Sequence, residues 1–228
     1  MLPPGAPVLR ARILGSLAQT LMLLGTFGEA ETVAREAIDA ARAVGADARA
    51  AEGHATCTLG IARAWGADPA GAIDLLETAR GIAREVGDAD DYFRAVLNLT
   101  TALTLLHRGP EAIDVTTEAI DLARRDGLET VYGNALRGNV AEALFLTGRW
   151  AEAREAIRTA LEWSPAADAF ADAAITSAML EVESASDERA ARLLGRRLVE
   201  LRNAPDPQSV VPASRAAEIG RASCRERV

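Results

Sequence analysis

Apolar residues recur along this chain at spacings of three and four, which is the pattern of amphipathic α-helices. The stretch around Gly148 shows the unit most clearly. Gly148 follows the segment Leu144-Phe145-Leu146-Thr147 and can take the left-handed conformation that closes a helix. Trp150 is placed to pack under the turn, and Ala153 is small enough to let a second helix approach closely. The pattern predicts a tight antiparallel helix pair.

The same unit recurs along the chain in one register. Three rows of equivalent positions each step by 42, 40 and 41 residues. The two rows on the second helix of each pair are Ala30, Ala72, Ala112 and Ala153, and Ala37, Ala79, Ala119 and Ala160. The row on the first helix is Leu17, Leu59, Leu99 and Val140. Independent rows that keep one register indicate a repeat architecture.

The register divides the chain into a proline-rich lead-in, a repeat array and a short tail, at residues 1–8, 9–217 and 218–228. Four helix pairs are predicted at about 9–45, 47–87, 89–127 and 129–164. A fifth, more divergent pair is predicted at 168–183 and 187–202, before a loop at 203–207 and the opening of a sixth pair at 209–217.

The last ten residues, 219–228, resemble a translated sequencing adapter, because the codons ATC GGA AGA GCG TCG TGT AGG GAA AGA GTG would encode them. We therefore leave them out of the fold prediction. It follows that Cys224 is not expected to be native and that the protein is expected to continue beyond residue 217. The apolar face of 187–202 would then lack its neighbour, and we expect it to fray or self-associate.

Composition supports a soluble all-α protein. The 228 residues are 4% aromatic and 25% charged, with a mean hydropathy of +0.04. No apolar run is long enough to span a bilayer. The run 17–24 could be taken for a signal peptide, but polar residues interrupt it and it keeps the repeat register. With Cys57 as the one cysteine before the tail, no disulfide framework is expected, which favours a cytoplasmic location.

Charge excludes several functions. The net charge of −8 disfavours nucleic-acid binding, which needs a basic surface. All 25 basic residues are arginine, so these residues hold no phosphate-loop lysine, pyridoxal Schiff base or lysine nucleophile. No serine, cysteine or carboxylate pair comes with the partners that catalysis needs. We predict a non-catalytic protein with no cofactor.

The helix pairs resemble tetratricopeptide repeats, although the period of about 41 exceeds the ~34 of the standard repeat. The resemblance is carried by Leu17-Ala18, Leu59-Gly60, Gly25-x-Phe27-x-Glu29-Ala30 and Gly148-x-Trp150-x-Glu152-Ala153. The segments 21–25, 98–103 and 132–144 are similar to the repeat region of large LuxR-family, maltose-regulator-like transcriptional regulators. Such regulators combine an ATP-binding module, a long repeat array and a C-terminal helix-turn-helix, and neither flanking module lies in this chain.

The resemblance implies that the first helices of the pairs line a concave groove. Aligning the units places two polar rows there, Arg12, His54 and Arg94 in one, and Ser16, Thr58, Asn98 and Asn139 in the other. Asparagines can hold the backbone of a peptide and arginines its carboxylates. The groove-binding candidates are Arg12, His54, Arg94, Asn98 and Asn139. In the alternative, the asparagines satisfy neighbouring groups and the arginines are solvated.

Three other polar features have simpler interpretations. His54 and Cys57 lie three apart on a predicted helix, but a structural zinc site needs about four ligands, so no metal site is predicted. His107 stands where other units have a helix-ending glycine, which favours a C-capping role. The acidic run 88–91 lacks the glycine and terminal glutamate of a calcium loop, so helix N-capping is its predicted role.

The sequence thus predicts an all-α solenoid that acts as a scaffold or sensor segment of a transcriptional regulator. Its expected partner on the concave face is a protein, a peptide or a small inducer, with no nucleic acid or membrane partner in this segment. The alternatives left open are a free-standing interaction adaptor and, with no sequence feature in its favour, a helical enzyme.

Overall fold

A computed structural model of the chain describes residues 6–66, 68–163, 176–177 and 179–181. Eight α-helices account for most of this part, which contains no strand. They are α1 (Ala6–Leu23), α2 (Phe27–Val44), α3 (Arg49–Gly66), α4 (Pro69–Val86), α5 (Ala89–Leu105), α6 (Gly109–Arg125), α7 (Glu129–Leu146) and α8 (Trp150–Trp163). A single 3-10 turn, Ala46–Ala48, precedes α3. The prediction of an all-α fold is confirmed for the described residues.

The chain divides into two compact units, Met1–Arg108 and Gly109–Val228. In the first unit each helix packs on the next, and α3 also packs on both α1 and α5. We call α1, α3 and α5 the A layer, with α2 and α4 packed against it. In the second unit α7 packs on both α6 and α8. The predicted third helix pair is divided between the units, because α5 belongs to the first and α6 to the second.

Alanine fills the core at the predicted positions. All eight alanines of the two rows on the second helices are buried. Ala11 of α1 clusters with Ala41 of α2, and Ala18 of α1 clusters with Ala34, so the two helices run antiparallel. Side chains this small let helix backbones approach closely, which explains how a chain with few aromatics still forms a packed interior.

Of the four large side chains in the row on the first helices, three are buried and one is exposed. Leu59, Leu99 and Val140 are buried, whereas Leu17 is 46% exposed. Leu59 packs against Ile38 of the preceding helix, α2. No helix among the described residues precedes α1 to cover Leu17 in the same way.

The turns follow the predicted glycine rule. Gly25 and Gly148 end α1 and α7 with φ of 78° and 77°. His107 ends α5 with φ of 57°, the one non-glycine residue with positive φ in the described part of the chain. Trp150 packs back as predicted, since its Nε1 donates to the carbonyl oxygen of Phe145 over 3.2 Å.

Helix α1 begins at Ala6 rather than at residue 9, so the end of the predicted lead-in is helical. Pro7 is compatible with this start because the first turn of a helix leaves its N–H groups without intrahelical acceptors. Residues 176–177 and 179–181 are helical, but the rest of the predicted fifth pair, the sixth pair and the tail at 218–228 lie outside the described residues. None of the described helices is both long and apolar enough to cross a membrane.

Candidate functional site

The A layer brings His54 and Arg94 together through a carboxylate that the sequence rows did not include. Asp88 caps α5 by accepting a hydrogen bond of 2.9 Å from the backbone N–H of Asp91. Asp91 then lies 2.9 Å, through Oδ1, from Nδ1 of His54 on α3. The same oxygen accepts a 3.0 Å hydrogen bond from Nε of Arg94. One carboxylate therefore joins the imidazole of α3 to the guanidinium of α5.

The other two nitrogens of the Arg94 guanidinium bind α3 directly. Nη1 donates to the hydroxyl of Thr58 over 3.2 Å, and Nη2 donates to the backbone carbonyl oxygen of His54 over 2.7 Å. The side chain of Arg94 is only 19% exposed. All three nitrogens of the guanidinium are thus used within the chain, where they hold α5 against α3.

Burial alone would raise the pKa of Asp91. The hydrogen bond from His54 and the charge of Arg94 outweigh it and hold that pKa below its usual value. Asp91 is therefore a carboxylate at neutral pH. A charged group this buried is stable only because its partners are in place.

Asn98 lies one turn after Arg94 on α5 and is buried. Its Nδ2 donates a 3.3 Å hydrogen bond to Sγ of Cys57 on α3. Burial raises the pKa of the Cys57 thiol, which keeps it neutral. Asn98 thus bonds to a neighbouring side chain of the same protein, which is the alternative that the sequence left open to peptide binding by the asparagines. No cluster of potential metal ligands occurs among the described residues.

A cavity of about 390 Å³ opens on the A layer next to this network. Residues of α1, the 3-10 turn, α3 and the start of α5 line it, namely Val8, Arg12, Gly15, Ser16, Asp47, Ala48, Ala50, Ala51, His54, Asp88 and Asp91. The predicted candidates Arg12 and His54 therefore share one cavity, whereas Arg94 and Asn98 are used in the α3–α5 contact.

Arg12 differs from Arg94 in its surroundings. It is exposed, and within the described part of the chain its guanidinium makes no ion pair or hydrogen bond. Two carboxylates, opposite in charge to Arg12, line the same cavity. Asp47 is exposed, and Asp88 accepts the capping hydrogen bond of α5 with its Oδ1. The cavity therefore presents one cation and two carboxylates that lack charged partners among the described residues.

His54 lines the same cavity. Its Nδ1 faces Asp91, and its Nε2 is buried with no hydrogen-bond partner in the described structure. Gly15 of α1 leaves room for the ring, since a Cβ at that position would lie 3.3 Å from Cδ2 of His54. A side chain at residue 15 would push on the imidazole and change the shape of the cavity.

Asn139, the last predicted candidate, lies half-buried on α7 in the second unit. Two positions before it, the buried Arg137 forms an ion pair with Glu129 at the start of the same helix. Sequence reasoning missed both this pair and Asp91. Asp91 could have been found from its i,i+3 spacing to Arg94, which places the two on one helix face.

No model of a known protein family matches this chain, and no curated protein is similar to it.

Proposed function

We propose that this chain is a non-catalytic α-solenoid segment of tetratricopeptide type that binds a ligand on its A layer. The observation that carries the proposal is the cavity between α1, α3 and α5, where Arg12 and two aspartates lack charged partners among the described residues. Its volume of about 390 Å³ lies within the ~300–1,000 Å³ of small-molecule sites. A peptide or a small inducer is the class of ligand that it accommodates.

The surroundings of the cavity support this role. Arg94 and Asp91 of α5 hold it against α3 through their hydrogen bonds to Thr58 and His54, so these walls of the cavity are held by contacts that do not depend on a ligand. Binding sites that are formed in advance lose less conformational entropy on association. Arg12, by contrast, is available to a partner because no described residue pairs with it.

We further propose that the segment belongs to a LuxR-family, maltose-regulator-like transcriptional regulator, in which ligand binding changes the packing of neighbouring repeats. The repeat register and the sequence similarity at 98–103 and 132–144 support this. The sequence of the complete gene tests it. A nucleotide-binding module upstream and a helix-turn-helix downstream would support the regulator, and a reading frame that ends after one more helix pair would contradict it.

A free-standing adaptor is the second candidate, and a specific surface favours it. Leu9, Ile13 and Leu17 are 55%, 58% and 46% exposed and recur every four residues, so they form one apolar stripe on α1. Contiguous exposed apolar side chains commonly mark sites of protein association. In this function a partner protein would pack on the stripe rather than enter the cavity.

Two sets of probes test the ligand-binding proposal. One is a random dodecapeptide display library, and the other is a panel of the twenty amino acids, common sugars and dicarboxylates. Binding is followed by the amide signals of the isotope-labelled full chain. We expect a binder that shifts signals of the cavity lining and weakens with Arg12→Ala. Arg10→Ala, on the same helix and also exposed but outside the cavity, is the matched control. Binders that are equally affected by both variants, or no binder at all, would contradict the proposal.

A further inference from the structure

The ionisable groups of the A-layer cavity determine which ligand charge it can accept. Five line it: Arg12, Asp47, His54, Asp88 and Asp91. The charge of Asp91 is already matched by Arg94, 3.0 Å away. One guanidinium and two carboxylates remain without a charged partner in the described part of the chain. These three groups sum to a charge of −1.

Neither a simple anion nor a simple cation matches these groups. A dicarboxylate on Arg12 would bring negative charge towards Asp47 and Asp88, and a diamine on the aspartates would leave the guanidinium unpaired. Mismatched charges of this kind select against a wrong ligand, and matched charges favour the right one. A ligand with one carboxylate and two cationic groups would pair every unmatched group.

Apolar side chains also line the cavity. Val8 of α1 and the alanines Ala48, Ala50 and Ala51 contribute to the lining. Such a surface suits a chain of methylene groups, whose transfer from water is favourable by ~0.8 kcal/mol per CH₂. The ligand that these features describe is short, aliphatic in the middle and charged at both ends.

We propose that the cavity binds a free amino acid with a basic side chain, such as L-arginine or L-lysine. Its carboxylate pairs with Arg12, its two cationic groups pair with Asp47 and Asp88, and its methylene groups lie against Val8 and the alanines. This inference rests on the proposed function, since it names the ligand class of the same cavity.

Calorimetric and amide-signal titrations of the full chain with L-arginine test the inference. Agmatine lacks the carboxylate, L-citrulline lacks the side-chain charge, and succinate is a simple dianion. We expect L-arginine to bind at least about tenfold more tightly than any of the three, since a charge-assisted hydrogen bond contributes ~1.5–3 kcal/mol.

Three charge-removing variants locate the ligand, namely Arg12→Gln, Asp47→Asn and Asp88→Asn. Asparagine is a good N-cap, so the third variant keeps the start of α5. Each is expected to weaken L-arginine binding about tenfold or more. The matched control is Asp74→Asn, an exposed position on α4 outside the cavity, which is expected to leave binding unchanged.

The outcomes separate this inference from the proposed function. Agmatine binding as tightly as L-arginine, or full affinity in Arg12→Gln, would overturn the assigned ligand class. If succinate or a selected peptide shifts the cavity signals while L-arginine does not, the ligand class is wrong and the binding function stands. If no probe shifts them, both fail.

Discussion

Arg94 on α5 donates a 2.7 Å hydrogen bond to the backbone carbonyl oxygen of His54 on α3. The contact joins two helices of the A layer through the main chain of one of them, so it does not depend on the rotamer of the histidine. The sequence places Arg94 and Arg12 in the same row, but their roles in the structure differ. Arg94 joins α5 to α3, whereas Arg12 lines a cavity.

The lowered pKa of Asp91 predicts a pH-dependent contribution to stability. A carboxylate whose pKa is lower in the folded state stabilises the fold above its unfolded pKa of about 3.9, and that contribution is lost as the pH falls through the folded pKa. Asp91→Asn removes the charge opposite His54 and Arg94. We expect it to lower the free energy of unfolding by about 1–3 kcal/mol at pH 7.

Urea unfolding at several pH values measures this effect. The difference between wild type and Asp91→Asn should shrink as the pH falls below about 4. Asp74→Asn, an exposed carboxylate on α4, is the control and should change stability by less than about 0.5 kcal/mol. A difference for Asp91→Asn that stays constant from pH 7 to pH 2 would show that the charge is not the cause.

Close packing between α3 and α4 gives a second prediction. A Cβ on Gly60 would lie 2.7 Å from Cγ of Leu76, which is fully buried, so one of the two helices or the leucine side chain must shift. Gly60→Ala should therefore lower the free energy of unfolding by about 1–3 kcal/mol. Gly81→Ala is the matched control on α4, because nothing lies within 4 Å of its added Cβ. It should raise the free energy of unfolding by about 0.5–1 kcal/mol. Denaturant unfolding compares the two, and equal effects would contradict the packing.

The left-handed His107 gives a third prediction. Its φ of 57° destabilises the fold by about 1–2 kcal/mol, because the residue has a Cβ. Replacing it with glycine removes this strain but costs about 0.5–1 kcal/mol, because glycine loses more conformational entropy on folding. His107→Gly should raise the free energy of unfolding by about 0.5–1 kcal/mol. Gly25→Ala, at the equivalent turn with φ of 78°, should act in the opposite direction. The melting temperatures of the two variants measure this, and a loss of stability in His107→Gly would show a role for the imidazole.

The repeat register predicted the helical fold because alanine and leucine positions report helix faces directly. The alanine rows are buried and the turn glycines have positive φ, since both follow from local geometry. The exposure of Leu17 and the division of the chain between α5 and α6 did not follow from the register. Both depend on which helices pack on which, and residues that are equivalent in sequence can differ in their neighbours.

Of the five predicted candidates, the structure brings Arg12 and His54 to one cavity, and it leaves Asn139 in the second unit. The rows correctly placed His54, Thr58 and Arg94 near one another, because a 40-residue step brings equivalent faces of α3 and α5 into contact. They did not show that Asp91 would neutralise Arg94. A row of like residues records helix faces, whereas ion pairing depends on side chains that cross between helices.

Comparing Arg12→Ala with Arg94→Ala in parallel tests the account most directly. Denaturant unfolding of the two variants and titration with L-arginine are the measurements. Arg94→Ala should lose about 2–4 kcal/mol of unfolding free energy, because it leaves Asp91 without its cation. Arg12→Ala should stay within about 0.5 kcal/mol of wild type and lose binding. Two variants that are equally destabilised, or an Arg12→Ala variant that binds like wild type, would contradict the division between a structural and a ligand-binding arginine.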